Sequence, residues 1–345
     1  MEKLSERKYN ILLNSVAEYI QTAVPITSKM VKEQFMVDIS TATLRNELNA
    51  LEAMGYLKQL HTSSGRVPTS KAYRIYVDWL MKDLSFKGEE LDIVKQGFNI
   101  KAQNLNSLID RVAKTISKVT DLPTVVVMND LKLLEIIEIK IIPLIDYSAL
   151  MLIQTNGGII NNTFEIDESI SQQDCIESAK VLQENFTGKT IEYMIDNIED
   201  VASKYNERLK VFKKVFESII EILRSSKDPV QAGSSKLLNK PEYNDAKKAQ
   251  QILALMEDGD ALREVVMTER EDLTFKIGKE NDMETLQDCT VITAPLTIGD
   301  ETIASVGVIG PQRIDYELVA GAMQYVVNEL KNIKQIKGEV NEEER

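Results

Sequence analysis

The sequence predicts an α+β protein whose N-terminal part is a winged helix-turn-helix and whose remainder is built on antiparallel strands interrupted by helices. Residues 1–84 contain three helical patterns followed by a short hairpin pattern, which is the element order of a winged helix-turn-helix. Residues 105–336 contain β-branched runs separated by turn signals, with helical patterns between them. The chain has 345 residues, of which 43% are hydrophobic and 28% charged, so it is long enough for two or three ordinary globular domains.

The first two helices follow from apolar spacing and from a clear breaker between them. Apolar residues at three- and four-residue steps predict a helix over 4–21, and Ser5 can act as its N-cap. Pro25 ends this helix, after which the pattern predicts a short helix over 26–35. A turn at 37–38 then leads into the third helix.

The third helix has one apolar stripe and one polar face. Ser40 can cap its N-terminus, because the hydroxyl oxygen can accept a backbone N–H of the first turn. The apolar stripe consists of Leu44, Leu48, Leu51 and Met54. The opposite face consists of Ala42, Arg45, Asn46, Asn49 and Ala53.

That opposite face carries residue types that read base edges in the major groove of DNA. Arginine pairs with guanine through two hydrogen bonds, asparagine does so with adenine, and alanine can contact a thymine methyl group. Gly55 ends the helix, residues 56–60 predict a strand, and residues 61–66 form a polar turn whose side chains can meet phosphates. The predicted DNA-binding residues are Ala42, Thr43, Arg45, Asn46, Asn49, His61, Ser63, Ser64 and Arg66. The alternative is that any amphipathic helix before a hairpin shows a polar outer face.

The charge distribution favours nucleic-acid contact by this N-terminal part alone. The whole chain has 41 Lys and Arg against 54 Asp and Glu, a formal charge of −13. Residues 1–84 contain 11 basic and 9 acidic side chains, so the negative charge lies in the remainder. An acidic body behind a slightly basic head should limit indiscriminate DNA binding.

Beyond the hairpin, the pattern predicts a fourth helix over 69–84, after which the apolar periodicity is interrupted. Polar residues at 87–90 indicate a linker, which we place at 85–104. A helix from 105 ends before Pro123, and β-branched runs predict strands over 124–128, 134–145, 148–154 and 159–166. We expect these strands to form a meander, with Asn156-Gly157 as a hairpin turn.

The second half of the chain is predicted to be helical first and then to return to strands. Helices are expected over 171–186, 190–225 and 242–256, strands over 273–277, 290–296 and 302–309, and a closing helix over 315–333. We expect these strands to rejoin the earlier meander in one sheet. The 190–225 helix carries a seam of large apolar residues, namely Tyr205, Leu209, Phe212, Phe216, Ile219 and Leu223. The seam fits either a dimer contact or packing on the sheet of the same chain.

The sequence offers little for catalysis, metal binding or membrane insertion. Gly188-Lys189-Thr190 imitates the end of a P-loop, but Gln183 stands where that motif requires glycine. His61 is the only histidine, and Cys175 and Cys289 lie far apart in the chain without a second ligand near either. We therefore expect no enzyme activity, no metal and no cofactor, and two buried thiols. The absence of a long apolar run or signal peptide leads us to expect a cytoplasmic protein without membrane contact.

Three segments carry a family resemblance: SKMVKEQF, STATLRNELNALEAMGYLKQLHTSSGRVPTSKAYRIYVDWLM, and IGKENDMETLQDCTVITAPLTIGDETIASVGVIGPQRIDY. They resemble the heat-inducible transcription repressor HrcA family over nearly the full length. Departures are small: Ser64 stands where the family usually has alanine, and Ala72 where it usually has glycine.

The resemblance implies a homodimeric repressor of chaperone genes that binds the inverted-repeat CIRCE operator on double-stranded DNA. It also implies loss of activity on heat stress, recovery through a GroE-type chaperonin, and a GAF-like domain interrupted by a helical dimerisation segment. The expected division is a winged-helix domain at 1–84, the linker at 85–104, GAF-like parts at 105–189 and 258–336, the inserted segment at 190–257, and an acidic tail at 337–345. Within the DNA-binding set, we assign Arg45 and Asn46 to base edges. The resemblance also favours the dimer contact over packing on the same chain for the seam of Tyr205, Leu209, Phe212, Phe216, Ile219 and Leu223.

Two alternatives from other classes remain. The first is a ligand-sensing winged-helix regulator, in which the GAF-like domain binds a small metabolite that shifts the dimer geometry. The second is a scaffold whose winged helix binds another protein. A footprint on a palindromic promoter fragment separates DNA binding from the scaffold, and thermal-shift screening tests for a metabolite.

Overall fold

The computed structural model describes residues 4–34, 39–59, 65–82, 94, 105–145, 147–168, 170–204, 210–225, 228–268, 270–298 and 301–332. The N-terminal unit, here called the head, covers the described residues up to 82. Its elements are α1 (Glu6–Thr22), α2 (Ser28–Gln34), α3 (Thr41–Ala53), β1 (Leu57–Gln59), β2 (Arg66–Pro68) and α4 (Ser70–Leu80). The predicted order of three helices, a hairpin and a fourth helix is therefore confirmed. The linker predicted at 85–104 lies outside the described residues, apart from Val94.

The head is held together by the apolar stripe of α3. Leu44, Leu48 and Leu51 are each 0% exposed and belong to one core cluster with apolar side chains of α1 and α4. The predicted leucine stripe thus forms the interior, and the polar face is left outside. Ser5 caps α1, since its Oγ accepts the Lys8 N–H at 3.4 Å.

The base of the hairpin is tied to the segment that precedes α2. β1 and β2 pair antiparallel, and Arg66 also exchanges two backbone hydrogen bonds with Ile26, at 2.7 and 2.8 Å. Gly65 lies so close to this segment that an added Cβ would be 2.6 Å from the Pro25 carbonyl oxygen. Glycine is therefore required at position 65 by close backbone approach.

The rest of the chain contains two separate antiparallel sheets with helices around them. In chain order the elements are α5 (Leu105–Thr120), β3 (Thr124–Met128), β4 (Ile136–Pro143), β5 (Ser148–Thr155), β6 (Gly158–Glu165), α6 (Gln172–Phe186), α7 (Ile191–Ser203), α8 (Lys210–Ser225), β7 (Val230–Ala232), α9 (Ala246–Glu257), α10 (Gly259–Val266), β8 (Thr274–Ile277), β9 (Cys289–Ile298), β10 (Glu301–Pro311) and α11 (Tyr316–Lys331).

The larger sheet, in the order β7-β3-β10-β9-β8, forms the centre of a unit that we call the body. Alternation along β3 sends Val125 and Val127 to one face and Val126 and Met128 to the other. The first face belongs to a core cluster with α9 and α10, and the second to a cluster with α5 and α11. Both faces of the sheet are therefore covered by helices.

The smaller sheet, in the order β4-β5-β6, belongs to an excursion between β3 and β7 that we call the insert, residues 129–229. β3 and β7 are neighbours in the larger sheet, with Val126 opposite Val230. The expectation of one continuous sheet is therefore confirmed for β3, which pairs with β10, and wrong for β4, β5 and β6. β3 already has β10 on one side and β7 on the other, so β4 cannot pair with it. β4 instead pairs with β5.

The insert also begins and ends earlier than the expected segment at 190–257. The sheet β4-β5-β6 and helices α6, α7 and α8 all lie between β3 and β7, whereas α9 contributes to the core of the body. Within α8, Phe212 and Ile219 are 3% and 2% exposed, and Phe216 is partly buried against the same core. Phe212, Phe216 and Ile219 thus pack within their own chain, which matches the second interpretation of the seam and not the dimer contact that the resemblance favours. Tyr205, Leu209 and the side chain of Leu223 lie outside the described residues.

The head rests on the body through α4. Arg74 donates from Nε to Glu280 Oε1 at 2.9 Å and from a terminal nitrogen to the Phe275 carbonyl oxygen at 2.7 Å. The Tyr73 and Tyr316 rings lie 5.8 Å apart between centroids. Polar, charged and aromatic contacts thus join the two units.

A second group of contacts comes from the segment before α11. The Ser70 hydroxyl donates to Gln312 Oε1 at 2.8 Å, and Arg313 donates to the Ile20 carbonyl oxygen at 3.3 Å. Gly278 has a φ of +60°, and a Cβ added there would lie 2.2 Å from Ser70 Oγ. Thus Gly278 contacts the head, and so does the GPQRIDY stretch, which is part of the third segment that carries the family resemblance. In the described part of the chain, no helix is both long enough and apolar enough to cross a bilayer.

Candidate nucleic-acid interface

The start of α3 is set by Ser40. The Ser40 backbone is extended, and its Oγ accepts the Thr43 N–H at 3.1 Å. The Thr43 hydroxyl lies 2.9 Å from the same oxygen, so Thr43 takes part in the cap and is only partly exposed. The cap fixes where the helix begins, and therefore which residues its polar face presents.

The polar face of α3 is open to solvent, as predicted. Ala42, Arg45, Asn46 and Asn49 are all exposed, on the side of the helix opposite the buried leucine stripe. Among the described residues, the side chains of Arg45 and Asn46 have no hydrogen-bond or ion-pair partner. These two side chains are therefore available to an external ligand.

Arg66 lies at the base of the hairpin and is turned towards α3. It is 9% exposed, its Nε donates to Glu52 Oε2 at 2.8 Å, and a terminal nitrogen donates to Asn49 Oδ1. The expectation that Arg66 belongs to a phosphate-facing turn does not match this inward position. His61, Ser63 and Ser64 lie outside the described residues, so their assignment stays a prediction.

Basic side chains of α1 are also engaged with α3. Arg7 and Lys8 each approach Glu47 at 3.3 Å, which neutralises an acidic residue on the helix. Near the hairpin, Lys71 donates to the Met54 carbonyl oxygen at 3.0 Å and lies 4.2 Å from the centre of the Tyr56 ring. These contacts hold the helix and the hairpin in a fixed relation.

Sequence reasoning missed Glu52 and the inward role of Arg66. Glu52 lies at the edge of the polar face, and Arg66 is 14 positions further along the chain. The only signal was an acid on a helix and a base on the next hairpin, which does not show that the two side chains meet. Their pairing depends on the fold.

Metal ligands and thiols are the other reactive groups that the sequence analysis considered. Within the residues that the structure describes, no group of three or more His, Cys, Asp or Glu side chains is placed to hold a metal ion. Cys175 and Cys289 are both free and buried, which confirms the expectation of two buried thiols. Burial is the main cause that raises the pKa of Cys289 to about 11, so this thiol is not activated.

Comparison with known proteins agrees with the sequence resemblance. The family described as "HrcA protein C terminal domain" matches residues 106–319. The heat-inducible transcription repressor HrcA of Acetivibrio thermocellus is 33% identical over 337 residues, with 95% of each chain covered. The repressor of the same name from Clostridium tetani is 32% identical, with 96% of each chain covered.

Among solved structures, the crystal structure of a hypothetical protein at 2.2 Å resolution superposes with a TM-score of 0.75. It is 22% identical and covers 95% of this chain and 98% of its own, so the likeness concerns the fold. The sequence matches extend over nearly the whole chain. The chain belongs to the HrcA family of heat-inducible transcription repressors.

Proposed function

We propose that the head is a winged helix that places α3 in the major groove of DNA, and that the chain represses heat-shock genes by this contact. The observation that carries the proposal is the exposed face of α3, where Arg45 and Asn46 have no partner within the described residues. An open arginine and asparagine on one helix face suit direct readout of base edges. The names of the family members support the regulatory role.

Each proposed contact has a distinct task. Arg45 and Asn46 read base edges, Ala42 contacts a thymine methyl group, and Thr43 and Asn49 position the helix. His61, Ser63 and Ser64 contact the phosphate backbone beside the major groove.

Arg45→Ala tests the readout. We expect a loss of about 1–3 kcal/mol in binding to the operator and relaxed selectivity at one base position. The measurement is a titration of operator and scrambled duplexes at several salt concentrations. Arg270→Ala is the matched control, since Arg270 is an exposed arginine of the body and should leave operator binding unchanged. Unchanged affinity and selectivity in Arg45→Ala would contradict the assignment.

The operator is proposed to be an inverted repeat of the CIRCE type, bound by a homodimer. Two-fold protein symmetry matches palindromic half-sites, and a head of low net charge gains affinity when a second copy is bound beside it. The insert offers a surface for the second copy, because Ile142, Leu144, Ile145 and Tyr147 are all exposed near the β4-β5 turn. Such a concentration of exposed apolar side chains marks an interaction surface.

Ile145→Glu tests this surface, since Ile145 is 87% exposed and the substitution leaves the core untouched. We expect the variant to be monomeric in light scattering at concentrations at which the wild type is dimeric, and to bind the full operator more weakly. Val24→Glu is the control, because Val24 is a 48% exposed apolar residue of the head. A dimeric Ile145→Glu variant would show that the insert associates through other residues.

We propose that heat inactivates the repressor by dissociating the dimer rather than by disrupting the contacts between each head and DNA. Loss of the dimer at elevated temperature leaves single heads that bind the operator weakly, and a GroE-type chaperonin restores the folded dimer. Operator affinity that stays constant across the temperature of dimer dissociation would contradict this route.

The ligand-sensing alternative has one place where it can be tested. A cleft of about 670 Å³ lies between head and body, lined by Ser70, Arg74, Glu280 and Gln312 among others. Its size is within the range of small-molecule sites. A metabolite that bound there, or in a GAF-like body, would raise the melting temperature in thermal-shift screening.

A further inference from the structure

We infer that Arg66 is a positioning residue that makes Asn49 face DNA as a hydrogen-bond donor; the inference rests on the proposed function. Arg66 is almost fully buried, yet one of its terminal nitrogens donates to Oδ1 of the exposed Asn49. The guanidinium group carries donors only, so the amide oxygen of Asn49 must be the atom that faces it. The amide nitrogen of Asn49 is thereby turned away from Arg66.

The orientation of the Asn49 amide depends on Arg66, which is itself held in place through both its side chain and its backbone. Arg66 Nε is fixed by Glu52 Oε2 at 2.8 Å, and the Arg66 backbone is fixed by its two hydrogen bonds to Ile26. Asn49 follows Asn46 and Arg45 on the exposed face of α3. Its outward N–H groups are therefore presented on the face that we propose for DNA, where they can bond only to an acceptor such as a phosphate oxygen or a thymine or guanine oxygen.

The geometry also assigns a different task to Arg66 from that of a phosphate contact. Arg66 is 9% exposed, and its guanidinium group donates to Glu52 and Asn49, so its charge is compensated within the head. Arg66 therefore acts on DNA through Asn49, and it links the base of the β1-β2 hairpin to α3.

The first test compares two substitutions of Asn49. The probe is a duplex carrying the inverted repeat that the wild-type protein protects in footprinting on the promoter DNA of its own chaperone genes. Asn49→Ala removes the outward donor, and we expect operator affinity to fall roughly tenfold. Asn49→Asp keeps an acceptor for Arg66 but turns a carboxylate oxygen towards the DNA acceptor. We expect it to bind at least tenfold more weakly than the alanine variant, with an unchanged or higher melting temperature because the Arg66 contact becomes an ion pair.

The second test separates positioning from phosphate contact at Arg66. Arg66→Met should lower operator affinity several-fold and leave the slope of log affinity against log salt unchanged. A phosphate contact would instead reduce that slope by about one on substitution. Asn49→Ala should cost little further affinity in the Arg66→Met background, because the amide is no longer oriented. Arg66→Gln, which removes the charge but keeps an amide donor beside Glu52 and Asn49, serves if the methionine variant does not fold, because its salt slope still separates the two roles.

Three results would overturn the inference, and they differ from failure of the proposed function. Asn49→Asp binding as well as or better than Asn49→Ala would show that an acceptor faces DNA. A reduced salt slope in Arg66→Met would make Arg66 a phosphate contact. If the losses of operator affinity add up in the double variant of Arg66→Met and Asn49→Ala, the two residues act independently. Equal binding of operator and scrambled duplexes by the wild type would instead reject the proposed function itself.

Discussion

At the scale of single residues, the relation between hairpin and helix depends on a close backbone approach. Gly65 lies against the Pro25 carbonyl group, and the neighbouring Arg66 uses that proximity to pair with Ile26 through its backbone. The same residue then reaches Asn49 and Glu52 with its side chain. Any substitution that moves position 65 therefore moves the support of the proposed DNA-reading face.

Gly65→Ala should destabilise the head by about 1–3 kcal/mol, because the added methyl group meets backbone atoms that cannot rotate away. Thermal unfolding followed by Trp79 fluorescence measures the effect, since Trp79 is the only tryptophan and lies in α4.

Gly55→Ala is the comparison for this substitution. Gly55 has a φ of +78° but no atom within 4 Å of an added Cβ, so that variant reports backbone strain without a clash. A smaller loss in Gly65→Ala than in Gly55→Ala would contradict the close-approach argument.

Single residues also show what the sequence could and could not reveal. The stripe of Leu44, Leu48 and Leu51 was predictable because spacing along a helix fixes which side chains share a face. The inward position of Arg66 was not predictable, because its partners are 14 and 17 positions away and the intervening turn decides whether they meet. Local periodicity carries no information about such pairs.

At the scale of elements, α3 depends on its first turn. Ser40 Oγ accepts the Thr43 N–H, and this hydrogen bond satisfies a donor that has no partner within the helix. Ser40→Ala should therefore lower the free energy of unfolding by about 1 kcal/mol.

Chemical denaturation of the full chain, followed by Trp79 fluorescence, measures this change. Ser40→Thr is the matched control, because threonine also caps and should lose only a small part of the stability. Equal stability of the wild type and Ser40→Ala would mean that water replaces the cap without cost.

Elements also mark the limit of sequence-based prediction for the sheets. The strands of the insert were predicted because β-branched runs and Asn156-Gly157 are local signals, and that hairpin is confirmed by the pairing of β5 with β6. Their membership in a separate sheet was not predictable. Strand partners are chosen by which sheet edges remain open, and that edge of β3 is occupied by β7, whose paired residues lie 104 to 108 positions further along the chain.

At the scale of the whole molecule, the ion pair of Arg74 and Glu280 couples the head to the body. Burial raises the pKa of Glu280, but hydrogen bonds from Arg74 and from the Ile277 N–H, together with the Arg74 charge, outweigh burial and bring the pKa below its ordinary value of 4.5. Because the pKa is lowered on folding, the stabilisation is present above pH 4.5 and is lost as the pH falls through the lower folded value.

The stability difference between wild type and Glu280→Gln should therefore be largest near neutral pH and should shrink as the solution is acidified below pH 4.5. Melting temperatures of both proteins across this range measure it. Glu271→Gln is the control, since Glu271 is an exposed acidic residue of the body with no ion-pair partner among the described residues. A difference that does not change with pH would contradict an ionic link.

Gly278 lies at the contact between the head and the body, so a substitution there can change how the two units are oriented. A methyl group at that position would press on Ser70, at the first turn of α4, while every residue proposed to touch DNA stayed chemically unchanged. The methyl group of Gly278→Ala would thus force α4 and the body apart at this point and alter the angle between the head and the body. The spacing of half-sites that a dimer tolerates would then shift without any change in the bases that each unit prefers, so a selection over operators of varied spacing would detect it.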